Sequence, residues 1–409
     1  MAERMPFSGG DPRAHRGPRT LAGSTILQIV PALRDEPAAR AAVEVAVGLV
    51  QSGARALVAG EGGPLAGNLQ TAGGEWIPLV NDTMNPFKLR RGAKMLERLI
   101  AKERVDIVHA HSAGAAWSAL AATAHMPVWL ITNLSDAPPP ESWLRRFYAS
   151  ALTRGDRIIA SSSYVAGRTI GDYRIPRERI AIIPRSVDTY FFDPAVLDAR
   201  RAAAFRMANR IQPHERVVLL PARLAAANGQ HVLVDAVRIL VNQGMSGVIF
   251  VLAGGDQSQR KYVRAVAAKI NRLGLEPIFR IAGTFNDVPA AFAAAHVVVL
   301  PSVGSSVSAR LLAEAQAMAR PVITTNIGVL PETVLAPPRM PDELRTGWVV
   351  RPRHPAELAA AIGAVLRLDD TAYQALAARA RQFAQFMFSP ESVVAATRAV
   401  YTSLLARDR

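Results

Sequence analysis

The 409-residue chain contains no cysteine, which removes disulfides, thiolate nucleophiles, iron–sulfur clusters and cysteine-bearing zinc sites from consideration. Any chemistry must come from oxygen and nitrogen groups. Lysine is scarce as well: Lys88, Lys94, Lys102, Lys261 and Lys269 stand against 43 arginines. An Arg-rich, Ala-rich composition of this kind reads as a coding bias. The formal net charge of +15 is shared between the halves, +8 up to Arg210 and +7 beyond it. A phosphate-tracking surface gathers its cations in one tail or stripe, so no nucleic-acid partner is expected.

No leader is expected either. Arg4, Arg13, Arg16 and Arg19 lie among Gly and Pro with no apolar segment behind them, so residues 1–23 read as a disordered, basic lead-in and not as a signal peptide. Residues 112–135 carry no Lys, Arg, Asp or Glu and are nominally long enough to cross a bilayer. His125, Pro127 and Asn133 interrupt that stretch, which divides into a small-residue helix and a strand at 128–132. The expected location is cytoplasmic. An Arg-rich face still allows peripheral contact with anionic lipid at the inner face of a membrane.

What the chain does have is alternation. Short β-branched runs at 25–30, 55–59, 76–79, 107–110, 128–132, 157–160 and 180–183 are separated by apolar-periodic segments, as in a parallel sheet covered on both faces. The pattern pauses and restarts with runs at 217–220, 248–253, 278–282, 297–300, 322–324 and 348–350. Helical spacing in the second set is plain at Val234, Val237, Leu240 and Val241. The expected fold is therefore α/β, with two doubly wound parallel-sheet (Rossmann-like) domains facing a cleft. The first spans 24–190, a linker 191–214, the second 215–389, and a closing helix at about 390–407 is expected to pack back on the first. Ligands of such sheets sit at the carboxyl ends of the strands.

Three strand ends in the second domain carry the most information. Arg223 follows the run at 217–220, Gly254 and Gly255 follow 248–253, and a Gly/Ser loop through Ser305, Ser306 and Val307 leads into a helix containing Glu314. Such a loop presents backbone N–H groups and the positive end of a helix dipole to an anion, and an arginine supplies the bidentate donor that phosphate prefers. His109 and His111 alternate at a strand end without a carboxylate partner, so no metal site is expected. Gly60, Gly62, Gly63 and Gly67 miss both the dinucleotide and the P-loop spacings.

The stretches LLPARLAAANGQHVLVDAV, VLAGGDQ, VPAAFAAAHVVVLPS, LLAEAQAMARPVITTNIGVLPETV and GWVVRPRHPAELAAAI resemble the donor-binding half of the family-4 glycosyltransferases, retaining enzymes of the GT-B fold. VDIVHAHSAGAAWSA, GDRIIASSSYVA and IPRSVDTYFFDP resemble their other half. The resemblance implies transfer of a hexose from a nucleoside-diphosphate sugar to a cell-envelope glycan or lipid-linked acceptor, with no cofactor and no metal. It also assigns positions. Arg223 matches the arginine that grips the donor diphosphate, and Glu314 matches the second glutamate of the Glu-x7-Glu motif, which holds the donor ribose. The accompanying lysine falls at Asn228 and the first glutamate at Ser306. The histidine beside the transferred sugar falls at Asn133.

In the first domain the family's Gly-Gly loop is replaced by Leu33, Arg34, Asp35, Glu36 and Pro37. Two carboxylates there repel a diphosphate unless Arg34 or Arg40 neutralises them. These substitutions leave two functions open: a glycosyltransferase with a degenerate motif set, or a non-catalytic homologue acting as partner or regulator of an active transferase.

Overall fold

The computed structural model describes residues 17–79, 85–135, 143–255, 259–304 and 309–408. It divides into two compact units, the first comprising residues up to Arg185 together with Pro390–Arg409, the second Ser186–Ser389.

The first unit runs β1 (Thr25–Ala32), α1 (Pro37–Gln51), β2 (Arg55–Glu61), α2 (Leu65–Thr71), β3 (Glu75–Pro78), α3 (Pro86–Glu103), β4 (Ile107–Ala110), α4 (Ala113–Thr123), β5 (Trp129–Leu134), α5 (Trp143–Ala149), β6 (Arg157–Ala160), α6 (Ser163–Tyr173) and β7 (Ile180–Ile182). All seven strands are parallel, in the order β3-β2-β1-β4-β5-β6-β7. Helix starts are written locally. Asn85 accepts from the backbone N–H groups of Phe87 and Lys88, with proline at the first helical position of α3. Ser112 caps α4 through Ala115, and Ser162 caps α6 through Val165.

The second unit runs α7 (Ala199–Ala208), β8 (Arg216–Leu220), α8 (Gln230–Asn242), β9 (Val248–Ala253), α9 (Arg260–Arg272), β10 (Phe279–Gly283), α10 (Val288–Ala294), β11 (Val297–Leu300), α11 (Arg310–Ala317), β12 (Val322–Thr325), β13 (Gly347–Val350), α12 (Pro355–Leu366) and α13 (Asp370–Phe388). Its six parallel strands take the order β10-β9-β8-β11-β12-β13. The chain then returns to the first unit as α14 (Pro390–Leu405), which packs on α1 and buries Tyr401 and Leu404. In each sheet the order reverses beside the first strand, between β1 and β4 and between β8 and β11. Crevices open at the carboxyl ends of strands at such points.

Two boundaries differ from the sequence reading. The end of the lead-in is tied down: the Arg19 backbone donates to Leu405, and its guanidinium meets the buried Asp106 carboxylate at 2.9 Å. Residues 191–214, read as a linker from their prolines and arginines, contain α7 and belong to the second unit, where Arg201 forms a two-pronged ion pair with Asp287 at 2.7 and 2.8 Å. Residues 112–135 resolve into α4 and β5, and among the described residues no helix is long and apolar enough to cross a membrane.

Candidate functional site

The site of the second unit is built from the loops that leave β8, β9 and β10. After β8 the chain passes Arg223, whose backbone carbonyl is held twice, by the Asn228 side-chain amide at 2.7 Å and by Gln230 Nε2 at 2.9 Å. Gln230 is fully buried, and its own oxygen accepts from the Tyr262 hydroxyl at 3.1 Å. Gly229 closes the loop with φ +74°, and a Cβ there would lie 1.8 Å from the Pro301 carbonyl oxygen. Only glycine fits a left-handed position pressed this closely against neighbouring backbone. The approach is used at once: Val303 N–H donates to the Ala227 carbonyl at 2.8 Å, tying the loop after β11 to the loop after β8.

The loop after β9 is equally constrained. Gly254 has φ +149°, and a Cβ would stand 2.4 Å from the Ala222 carbonyl oxygen and 2.9 Å from the Arg223 nitrogen. Its N–H donates to Gly283 at the end of β10 at 2.7 Å. These loops enclose a cavity of about 350 Å³ lined by Arg223, Asn228, Gly254, Gly255, Thr284 and Leu311, among others. Arg223 is exposed at its edge. A cationic side chain beside closely packed glycine backbone, at the carboxyl edge of a parallel sheet, is an arrangement that receives an anion.

Of the residues singled out in the sequence, Arg223, Asn228, Gly254 and Gly255 meet around this one cavity. Asn228 acts on the protein itself, by holding the Arg223 carbonyl. Glu314 is buried one turn beyond Leu311 in α11, where its Oε1 accepts from Arg310 Nε at 2.5 Å. Ser305, Ser306 and Val307 lie outside the described residues. Gln230 and Arg310 were missed by sequence reasoning. Arg310 had a readable signal, since a cation four residues before a helical carboxylate shares its face.

In the first unit Asn133 is the fifth residue of β5 and does not follow the strand. Its half-buried side-chain amide lies 3.3 Å from His111 Nδ1. Beyond His111 the polarity of the chain of hydrogen bonds is fixed by a backbone group. Gln28 Nε2 donates to the Ala42 carbonyl at 2.7 Å, so the Gln28 oxygen accepts from His111 Nε2–H at 3.1 Å. His111 Nδ1 is then the acceptor for the Asn133 amide. Burial holds His111 neutral, its pKa pushed down to about 4. His109, whose ring centroid is 4.1 Å from that of His111, is pushed well down by burial and by its neighbour. Its Nδ1 meets the Tyr401 hydroxyl at 2.7 Å, while its buried Nε2 has no hydrogen-bond partner among the described residues. The two histidines are thus engaged by different partners as neutral rings.

The two carboxylates in the loop before α1 are partly answered. Arg40 pairs with Asp35 at 2.6 Å, while Arg34 turns to Glu61 at 3.5 Å. Asp35 therefore has the neutralising partner that a nearby anion demands, and Arg34 is directed to another carboxylate.

Comparison with known proteins fits this geometry to a family. Residues 215–368 match the family model described as glycosyl transferases group 1, and residues 38–191 match that of glycosyltransferase family 4. The chain belongs to the family-4-like glycosyltransferases. Among curated relatives of this family, the D-inositol 3-phosphate glycosyltransferase of Streptomyces scabiei is 28% identical over 287 residues, covering 68% of this chain and 60% of that protein. The putative colanic acid biosynthesis glycosyltransferase WcaL of Escherichia coli is 28% identical, covering 60% of this chain and 56% of that one. The matched region thus spans less than two thirds of either relative. Among solved structures, a glycosyltransferase from Rickettsia africae superposes with a TM-score of 0.77 at 26% identity, covering 94% of this chain and 99% of its own. HepE of Anabaena, crystallised with UDP, gives 0.72 at 20% identity over 93% and 100% of the two chains. At that identity the likeness speaks for a shared GT-B fold.

Proposed function

We propose that the chain transfers a sugar, with retention of configuration, from a nucleoside-diphosphate sugar to a cell-envelope glycan or lipid-linked acceptor. The observation that carries this reading is the convergence of Arg223 with the Gly254 and Gly255 backbone around one cavity at the carboxyl edge of the second sheet. HepE bound to UDP supports a nucleotide donor. A further relative, the Escherichia coli enzyme described as a UDP-Gal:alpha-D-GlcNAc-diphosphoundecaprenol alpha-1,3-galactosyltransferase, is 25% identical and supports a lipid-linked acceptor.

In this reading Arg223 and the backbone N–H groups of Ser305, Ser306 and Val307 stabilise the diphosphate as the bond to the sugar breaks. Fixed donors aimed at developing negative charge do the work elsewhere done by a metal ion, so the scheme needs none. Glu314, positioned by its bond from Arg310, is the carboxylate that accepts from the donor ribose. By the family resemblance Ser306 and Asn133 stand at the positions of the sugar-side glutamate and histidine, and neither side chain titrates near neutral pH. Arg34, Arg40 and Asp35 set the local charge on the first unit. The protein works at the inner face of a membrane, where a lipid-linked acceptor resides.

The test is release of nucleoside diphosphate from a panel of uridine, guanosine and adenosine diphosphosugars, with and without a glycan or polyprenyl acceptor. The anomeric configuration of the product is read by NMR. Transfer with retention supports the reading. A protein that binds a donor but never turns it over is the non-catalytic homologue instead.

A further inference from the structure

We infer that the outer face of α3, α4 and α5 is a docking surface for a bilayer of anionic phospholipid. A helix on the outside of a doubly wound domain normally turns a polar face to solvent. Here Phe87 on α3 is 86% exposed and Met95, two turns on, is also exposed. On α5, Trp143 is 76% and Phe147 58% exposed, with Leu144 between them. Among the described residues these large apolar side chains on neighbouring helices are left exposed.

The charge around them is predominantly positive. Helix α3 carries Lys88, Arg90, Arg91, Lys94, Arg98 and Lys102 against two carboxylates, Glu97 and Glu103. Glu103 is already engaged by Arg55 and Lys102. Helix α5 adds Arg145 and Arg146 and has no acidic residue. The helices form one layer. α3 and α5 both pack on α4, and Trp117 of α4 lies 5.3 Å from the Phe147 ring, with the Arg154 guanidinium 5.1 Å over its indole. Aromatic and aliphatic side chains interleaved with cations match the interfacial region of a negatively charged bilayer: the rings enter at the headgroup level while the cations meet lipid phosphate. A duplex would reward the cations and gain little from Phe87, Trp143 and Leu144. That difference selects lipid over nucleic acid.

The inference extends the membrane-side reading above to a surface, and vesicle binding needs no transferase activity, so the two fail separately. The experiment is co-sedimentation of the full chain with vesicles of phosphatidylcholine alone and of phosphatidylcholine with phosphatidylglycerol in equal parts, at low and physiological salt. Binding is expected to the anionic vesicles, weakened by salt and nearly absent on phosphatidylcholine. Each cation is worth about fivefold in partitioning, so the K88S/R91S/K94S variant is expected to lose about a hundredfold. W143S/L144S removes apolar contact and is expected to lose about tenfold. All five residues are exposed, and unchanged circular dichroism and melting show that the variants fold. Equal affinity for both vesicle types, no sedimentation with either, variants that bind like the parent chain, or preference for a generic duplex over anionic vesicles would each overturn the inference.

Discussion

Asn228 donates its side-chain amide to the backbone carbonyl of Arg223 at 2.7 Å. The neutral residue at the position where the family resemblance places a lysine therefore holds the loop that carries the arginine. Asn228→Ala leaves that carbonyl with Gln230 as its described partner and is expected to cost about 1 kcal/mol of stability. Asn228→Lys is expected to lose the same anchor while adding a charge, so it melts lower and yet binds a nucleoside diphosphate more tightly. Urea denaturation and calorimetry measure the two effects separately. An Asn228→Ala protein as stable as the parent would show that the bond anchors nothing.

At Gly254 a single added methyl group is expected to damage both the fold and the site. With φ +149° and a Cβ site 2.4 Å from the Ala222 carbonyl oxygen, Gly254→Ala combines backbone strain with a clash, about 3 kcal/mol together. A fall in the denaturation midpoint with unchanged m-value is expected, together with loss of nucleotide binding, because the Arg223 backbone must move to make room.

How much of this was legible beforehand follows from what each signal measures. Strand runs and helix periods expose burial, so the alternation of strands and helices in both units could be read from apolar spacing. Arg223, Gly254 and Gly255 stood out because they follow strand ends, where doubly wound sheets bind ligands, and Asn228 because the family resemblance places a lysine there. The role of Asn228 did not, because a side-chain bond to backbone leaves no periodicity. Helix α7 was hidden by Pro194, Pro213 and its many arginines, which read as an exposed linker until Arg201 is seen paired with Asp287. Gln28 and Tyr401, 373 residues apart in sequence, meet the His111 and His109 rings only through the fold.

The buried histidines set the acid limit of the fold. His111 has its pKa pushed down to about 4 by burial, and burial with nearby arginines does the same to His296. In the unfolded chain both return to about 6.5. The unfolded state thus binds more protons between those values, so stability is full above about pH 6.5 and is lost as pH falls toward 4. His111→Gln keeps a polar side chain and removes that proton site. Its stability is expected to fall less steeply over this window, by on the order of 3 kcal/mol for one site. Parallel urea titrations at several pH values decide the point, and identical slopes for parent and variant contradict it.

The tautomer assigned to His111 is open to direct observation. Nitrogen-15 shifts of the ring are expected to show Nε2 protonated and Nδ1 bare at neutral pH. Asn133→Asp replaces the donating amide by a carboxylate beside Nδ1, which favours the charged ring, so the His111 pKa is expected to rise by at least about one unit. A bare Nε2 in the parent chain, or an unmoved titration in the variant, would show that Asn133 does not donate to this ring.

The central claim is that the cavity of the second unit holds a nucleoside-diphosphate sugar through Arg223. Its most direct test is calorimetric titration of the parent chain and of Arg223→Ala with uridine, guanosine and adenosine diphosphosugars. The expected result is saturable binding of one of them, weakened about ten- to a hundredfold by the substitution, as loss of a charge-assisted contact requires. Absence of binding for every donor, or a donor bound equally well without Arg223, would contradict it.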